Sequence, residues 1–208
     1  MSSPPPPQLV LASASPARLA QLRAAGIAPS VVVSGVDEST VSEPVPGRLA
    51  LRLAELKAEA VAARIPPGPV VLGCDSVLEY AGEIYGKPDS AEDAVTRWKQ
   101  MRGGTGVLHT GHCLIATGSG RRAAAGADTL VRFAAVSDAE ITAYVATGEP
   151  LAVAGAFKID GLGGAFVEGI DGDPGTVIGL SLPLLRRLLG ELDISITDLW
   201  TSTGEPHG

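Results

Sequence analysis

The sequence predicts a mixed α/β fold in which a twisted central sheet, split into two lobes and flanked by helices, leaves a cleft between the lobes. Three observations predict it. Short apolar runs bounded by glycine or proline alternate with stretches of helical periodicity. The 208 residues are 45% hydrophobic, enough for one substantial core. Charged and hydroxyl side chains gather at the ends of the apolar runs, where α/β sheets place their ligands.

In order along the chain, the proline-rich segment 1–7 reads as a tail, and 8–200 as a single domain followed by a second tail, 201–208. Leu9-Val10-Leu11-Ala12 is a short buried strand. Ser13-Ala14-Ser15-Pro16 then supplies a hydroxyl cap and a proline at the first helical turn, and the helix stops at Gly26. A second apolar run, Val31-Val32-Val33, leads through Gly35 to Thr40 and a proline-bearing stretch into a long helix spanning 48–64, with Leu49, Leu53, Leu56 and Ala60 on its apolar stripe. Pro69 to Cys74 is a buried strand that ends at Asp75-Ser76. Val77 to Tyr85 forms a hairpin around Ala81-Gly82, closed by Gly86-Lys87-Pro88. Ser90 and Asp93 cap a helix running to about Arg102. Val107–Thr117 and Thr129–Ala135 read as strands separated by a polar, alanine-rich loop over 118–127. Ser137-Asp138-Ala139-Glu140 caps a further helix ended by Gly148. A glycine-dense segment over 155–164, a short strand over 166–170 and a closing helix over 180–192 complete the chain.

Composition narrows the function. A net charge of −7 argues against a broad nucleic-acid surface and points to a small substrate. No uncharged apolar stretch of about 18 residues occurs, and 1–7 lacks a signal peptide's basic and apolar regions, so a cytoplasmic protein without membrane contact is expected. Cys74 and Cys113, the only cysteines, lie in apolar runs and read as reduced core residues. His109 and His112 are three apart on a strand, hence on opposite faces, which makes them poor metal co-ligands. Walker-type and dinucleotide-binding glycine loops are absent.

Three charged residues stand out, each with a plain alternative. Lys57 projects from the apolar stripe of its helix, so its ammonium needs an anionic partner or a route to water along the stripe's edge. Asp75 is placed either for chemistry or to cap the following turn. Lys87 is either a solvated loop charge or, behind a glycine that permits close approach, a phosphate ligand.

Taken together, Leu9-Val10-Leu11-Ala12-Ser13-Ala14-Ser15-Pro16-Ala17-Arg18, Glu38, Lys57-Ala58, Gly73-Cys74-Asp75-Ser76, Gly86-Lys87-Pro88 and the glycine-rich segment over 155–182 resemble, in order, the Maf septum-formation proteins, which are nucleoside triphosphate pyrophosphatases. The resemblance spans nearly the whole chain. It implies hydrolysis of a nucleoside triphosphate to the monophosphate and pyrophosphate, in nucleotide-pool house-cleaning and with a link to cell division. Asp75 would be the proton acceptor, Glu38 and Asp75 would hold Mg2+ or Mn2+, and Ser13, Arg18, Lys57 and Lys87 would bind phosphate oxygens. A homodimer is also implied.

By the same resemblance, Ala17, Ser76 and Asp160 fall at positions that would bear on base selection. Asp160 leans towards guanine-type bases, because a carboxylate accepts from their N–H groups, whereas Ala17 and Ser76 fit neither branch of the family. Broad base preference is therefore expected. A non-catalytic nucleotide sensor acting on septum formation is the competing reading; it has no need of two carboxylates beside a polyphosphate. Hydrolysis of another phosphoanhydride is a third.

Overall fold

A computed structural model describes residues 7–201, so both expected tails lie outside the described residues apart from Pro7 and Thr201. The elements are β1 (Leu9–Leu11), α1 (Pro16–Ala24), β2 (Ser30–Val31), α2 (Pro46–Ala62), β3 (Val70–Tyr80), β4 (Glu83–Tyr85), α3 (Ala91–Met101), β5 (Thr105–Ala116), β6 (Arg122–Phe133), α4 (Asp138–Ala146), β7 (Val167–Asp171), α5 (Pro174–Ile178) and α6 (Leu182–Glu191). They build one seven-stranded mixed sheet in the order β2-β1-β3-β5-β6-β7, with β4 paired to the far end of β3. The pairs of β1 with β2 and β3 are parallel; all the others are antiparallel.

Helix starts follow the capping chemistry expected of the sequence. The Ser15 hydroxyl accepts from Arg18 N–H with Pro16 in the first turn, Ser90 accepts from Asp93 N–H, and Ser137 and Glu140 form a reciprocal capping box. These caps fix where α1, α3 and α4 begin.

The long central strand β3 carries the two-lobed arrangement, because it contributes to both cores. Val70, Leu72 and Cys74 of β3 belong to a core shared with Leu9, Leu22 and the apolar face of α6. Leu78, further along the same strand, belongs to a second core built on Trp98, Phe133 and Tyr144. Asp75 and Ser76 lie between the two cores.

This corrects the expectation that the strand ends at Cys74. Antiparallel pairing with β5 continues through Asp75↔Gly111, Ser76↔Thr110 and on to Glu79↔Val107. Alternate residues over 75–79 thereby direct their N–H and C=O groups to β5, so a polar side chain does not terminate the strand. The expected loop over 118–127 is a second correction. Only the turn around Thr117–Arg121 is irregular, closed by Ala116 N–H to the Arg121 carbonyl at 2.9 Å. The alanines that follow are strand, because Ala123, Ala125 and Ala127 face the first core while Ala124 faces α2. Small side chains there let helices pack on both faces of β6; tertiary packing overrides weak strand propensity.

Helix α2 lies directly on the sheet. A Cβ at Gly73 would collide with the Ala54 carbonyl, and one at Gly111 with the Ala50 carbonyl and Leu51 Cα. Both obstacles are backbone and cannot swing aside. Gly111→Ala should therefore cost about 3 kcal/mol of stability by overpacking, read from the urea unfolding midpoint. An unchanged midpoint would contradict this close packing.

Candidate active site

The site assembles where β1, α1, α2 and the middle of β3 converge. Ser13 leaves β1 and Arg18 lies in the first turn of α1; both are nearly buried. The Arg18 guanidinium donates from Nε to the Gly179 carbonyl at 2.8 Å, from Nη1 to Ser13 Oγ at 3.3 Å and from Nη2 to Ser76 Oγ at 3.1 Å. Ser76 Oγ lies 2.8 Å from Thr110 Oγ1, which donates to the Thr176 carbonyl at 2.9 Å. The direction of this chain is forced. A guanidinium only donates and a carbonyl only accepts, so the single Thr110 proton goes to Thr176 and the Ser76 proton goes to Thr110.

The second half of the site is centred on Lys57. Its Nζ lies 2.5 Å from Asp75 Oδ1 and 2.7 Å from Glu38 Oε1. Lys57 is 7% exposed and Asp75 6%, whereas the Glu38 side chain, at the start of a 3-10 turn capped by Asp37, is half exposed. The inward projection of Lys57 is thus answered by two anions. Burial raises the Asp75 carboxyl above the ordinary carboxylate range, against the opposing fields of Lys57 and Arg18 and the Lys57 hydrogen bond. Asp75 Oδ2 accepts no hydrogen bond among the described residues, which leaves a basic oxygen for a substrate or a water.

Other titratable candidates fall away. Burial pushes the Cys74 thiol up to about 12 and that of Cys113 up to about 11, so neither is a thiolate near neutrality. His112 is wholly buried and lowered to about 4 by burial; its Nε2 accepts from Ser181 N–H at 2.9 Å and its Nδ1 contacts the Thr110 carbonyl at 3.2 Å. It holds the start of α6 in place as a neutral ring. On the opposite face of β5, His109 sits between Asp128 at 2.7 Å and Glu79 at 3.0 Å. Among the described residues, no group of three or more His, Cys, Asp and Glu side chains is arranged to hold a metal by itself.

The fold therefore builds two adjoining sets, Ser13, Arg18 and Ser76 in one and Glu38, Lys57 and Asp75 in the other, which meet at the neighbouring strand residues Asp75 and Ser76 to make one constellation in which the Arg18 charge acts on Asp75; Ala17 is half-buried beside Arg18. Lys87 and Asp160 make no hydrogen bond or ion pair to it. Lys87 is exposed on the turn after β4, and Asp160 lies 3.7 Å from Lys158 on the glycine-dense segment. Those two stretches abut each other, since Gly155 N–H donates to the Gly86 carbonyl at 3.1 Å. Sequence reading missed Thr110, Thr176 and Gly179, the partners that fix Ser76 and Arg18. Two of the three act through backbone carbonyls, which leave no side-chain signature. Thr110 did leave one, as a polar residue alternating with His112 inside an apolar strand.

A family model described as Maf-like protein matches residues 8–192, a span that holds every residue of this constellation. The chain belongs to the Maf-like family. Maf-like relatives named nucleoside triphosphate pyrophosphatase include one from Salinispora tropica, 62% identical over 100% of this chain and 93% of its own. Another, from Streptomyces avermitilis, is 59% identical over 97% of this chain and 98% of its own. A third, from Thermosynechococcus vestitus, is 56% identical over 91% and 96%. No helix among the described residues of this Maf-like chain is long and apolar enough to cross a membrane.

Proposed function

We propose that this Maf-like chain is a nucleoside triphosphate pyrophosphatase that hydrolyses a canonical or modified nucleoside triphosphate to the monophosphate and pyrophosphate. The observation that carries the reading is a buried carboxylate, Asp75, with one oxygen unoccupied and two buried cations, Lys57 and Arg18, beside it. A polyphosphate needs the cations, and a water attacking it needs the carboxylate. In this reading Asp75 takes the proton of a water as its oxygen bonds to the α-phosphorus. The bond from that phosphorus to the bridging oxygen breaks, and pyrophosphate leaves with the electron pair. Arg18 spends three of its five N–H groups on protein acceptors, so its fork is held rigid while the remaining two face phosphate oxygens. Ser13, Lys57 and Lys87 complete the phosphate contacts.

Glu38 and Asp75 fit a hard divalent cation, Mg2+ or Mn2+. Both are carboxylates, and their oxygens approach one point, the Lys57 nitrogen, within 2.7 Å. Such an ion would supply further charge neutralisation on the phosphates. Base selection would rest on Ala17, Ser76 and Asp160. Ser76 meets the substrate as an acceptor only, since its proton is committed to Thr110. A cytoplasmic homodimer that takes part in nucleotide-pool house-cleaning and bears on septum formation completes the proposal; light scattering tests the dimer.

The deciding experiment incubates the protein with Mg2+ or Mn2+ and a panel of nucleoside triphosphates, scoring pyrophosphate and monophosphate. Binding without turnover of any member would favour a nucleotide sensor instead, and release of orthophosphate a different phosphoanhydride hydrolase. Asp75 must be ionised to accept a proton, and burial raises its carboxyl. The acid limb of kcat/KM in the free enzyme should therefore lie above the ordinary carboxylate range, with rate rising with pH through it. An acid limb at or below about pH 4 would contradict Asp75 as the base.

A further inference from the structure

Outside the constellation, a half-buried carboxylate with three hydrogen-bond donors is Glu149, in the 3-10 turn Glu149–Ala152 that follows α4. Its Oε1 accepts from Tyr144 Oη at 2.9 Å and from Gly163 N–H at 3.0 Å, and its Oε2 accepts from Leu162 N–H at 3.1 Å. Tyr144 Oη in turn accepts from Lys158 N–H at 3.2 Å. The stretch 158–163 within the glycine-dense segment is thus pinned at both ends, at Lys158 through the tyrosine and at 162–163 directly. Lys158 and Asp160 lie on the stretch between the pins.

The segment's sequence is shaped to this pair. A Cβ at Gly161 would run into the Glu149 carboxylate, and one at Gly163 into the Tyr144 hydroxyl. The tyrosine is itself immobile, packed edge-on against Trp98 and Phe166 in the second core. Desolvation alone would raise the Glu149 carboxyl, yet the N–H groups of Gly163 and Leu162, the Tyr144 hydroxyl and the Lys158 charge hold it below its ordinary value. Near neutral pH it is an anion with a fixed set of donors. At its other border the segment docks through Gly155 on the turn that bears Lys87.

We propose that Glu149 and Tyr144 are positioning residues that set the Lys158–Asp160 stretch against the nucleobase, and so determine which nucleoside triphosphates are accepted. This rests on the proposed pyrophosphatase reading and on Asp160 as its base-facing carboxylate. Neither Glu149 nor Tyr144 touches the reacting phosphates. Their loss changes where Asp160 stands, not how Asp75 works. A glutamine at 149 keeps the shape but offers its NH2 to a backbone N–H that needs an acceptor, and a phenylalanine at 144 keeps the packing but drops both hydroxyl bonds.

The test compares wild type, Glu149→Gln and Tyr144→Phe as full chains over GTP, ITP, ATP, UTP, dTTP and CTP. Amide hydrogen exchange is followed in peptides covering 157–164. Both variants should show faster exchange confined to that segment. KM for the best substrate should rise about tenfold with kcat within about twofold, and the spread of kcat/KM across the bases should narrow at least about fivefold. Equal losses on every nucleotide, or unchanged KM and selectivity despite faster exchange, would overturn the assignment. So would unchanged exchange, which would show that the pins do not hold the segment. A wild type that turns over none of the nucleotides sinks the functional reading itself, whereas an active wild type with variants of unaltered selectivity sinks only the role of Glu149 and Tyr144.

Discussion

Asp75→Asn should lower kcat by about a thousandfold while nucleotide affinity stays within a fewfold of wild type. The substitution keeps the side chain's volume in a buried slot and keeps one oxygen to accept from Lys57. It removes the carboxylate oxygen that accepts no hydrogen bond among the described residues. In the proposed reading the phosphate contacts through Arg18, Lys57 and Ser13 are untouched, so binding should persist while proton abstraction does not. Affinity is read with a nucleotide whose α–β bridge is a methylene, and rate by single-turnover release of pyrophosphate. If kcat fell less than tenfold, the base would have to be another group, with Glu38 the next candidate.

Lys57→Met should cause the second large effect, on stability as well as rate. It removes the buried partner of a buried carboxylate, a type of loss that costs about 3 kcal/mol or more when one charge stays behind. Asp75 already has its carboxyl raised by burial, and without the lysine's opposing field it must rise further. The pH dependence follows from that sign. A group whose folded value is raised contributes most below its unfolded value and loses that contribution as pH climbs through the folded one. The variant should therefore be close to wild type near pH 3.5, with the deficit opening as pH rises and reaching its full size above the folded Asp75 value. Urea unfolding at several pH values reads this directly, and a deficit independent of pH would show that packing rather than charge is lost. Turnover should fall at least about a hundredfold with the phosphate contact. In the absence of nucleotide, the same variant should bind Mn2+ more tightly than wild type, because the ammonium and a divalent cation compete for the same two carboxylates. Weaker Mn2+ binding would mean that Glu38 and Asp75 do not form the metal's protein ligands.

Much of this was legible in the sequence because local chemistry wrote it there. Ser15-Pro16, Ser90 with Asp93, and Ser137 with Glu140 announce helix starts through bonds spanning three or four residues, and those helices begin where expected. Lys57 announced itself by breaking an apolar stripe, which demanded an anion somewhere, though not which one. The ordered motifs marked Ser13, Arg18, Glu38 and Asp75 as one set before any geometry was known.

What failed was long-range. The end of β3 was misplaced because Asp75 looks like a strand terminator until its ladder partner, 36 positions later at Gly111, is seen. The alanines of β6 looked like loop because their small size serves helices α2 and α6 on opposite faces, a requirement absent from the strand's own sequence. The sequence by itself determined the element types, the family and the cast of charged residues, since caps, periodicity and motif order are local properties of the chain. Only the tertiary structure decided that Lys57 bridges Asp75 to Glu38, that Thr110 dictates the direction of the Ser76 proton, and that Glu149 pins the glycine-rich segment. Each of these depends on groups brought together by sheet pairing and helix packing, and at least one partner in most of them is a backbone carbonyl or N–H, which every residue carries and no sequence can single out.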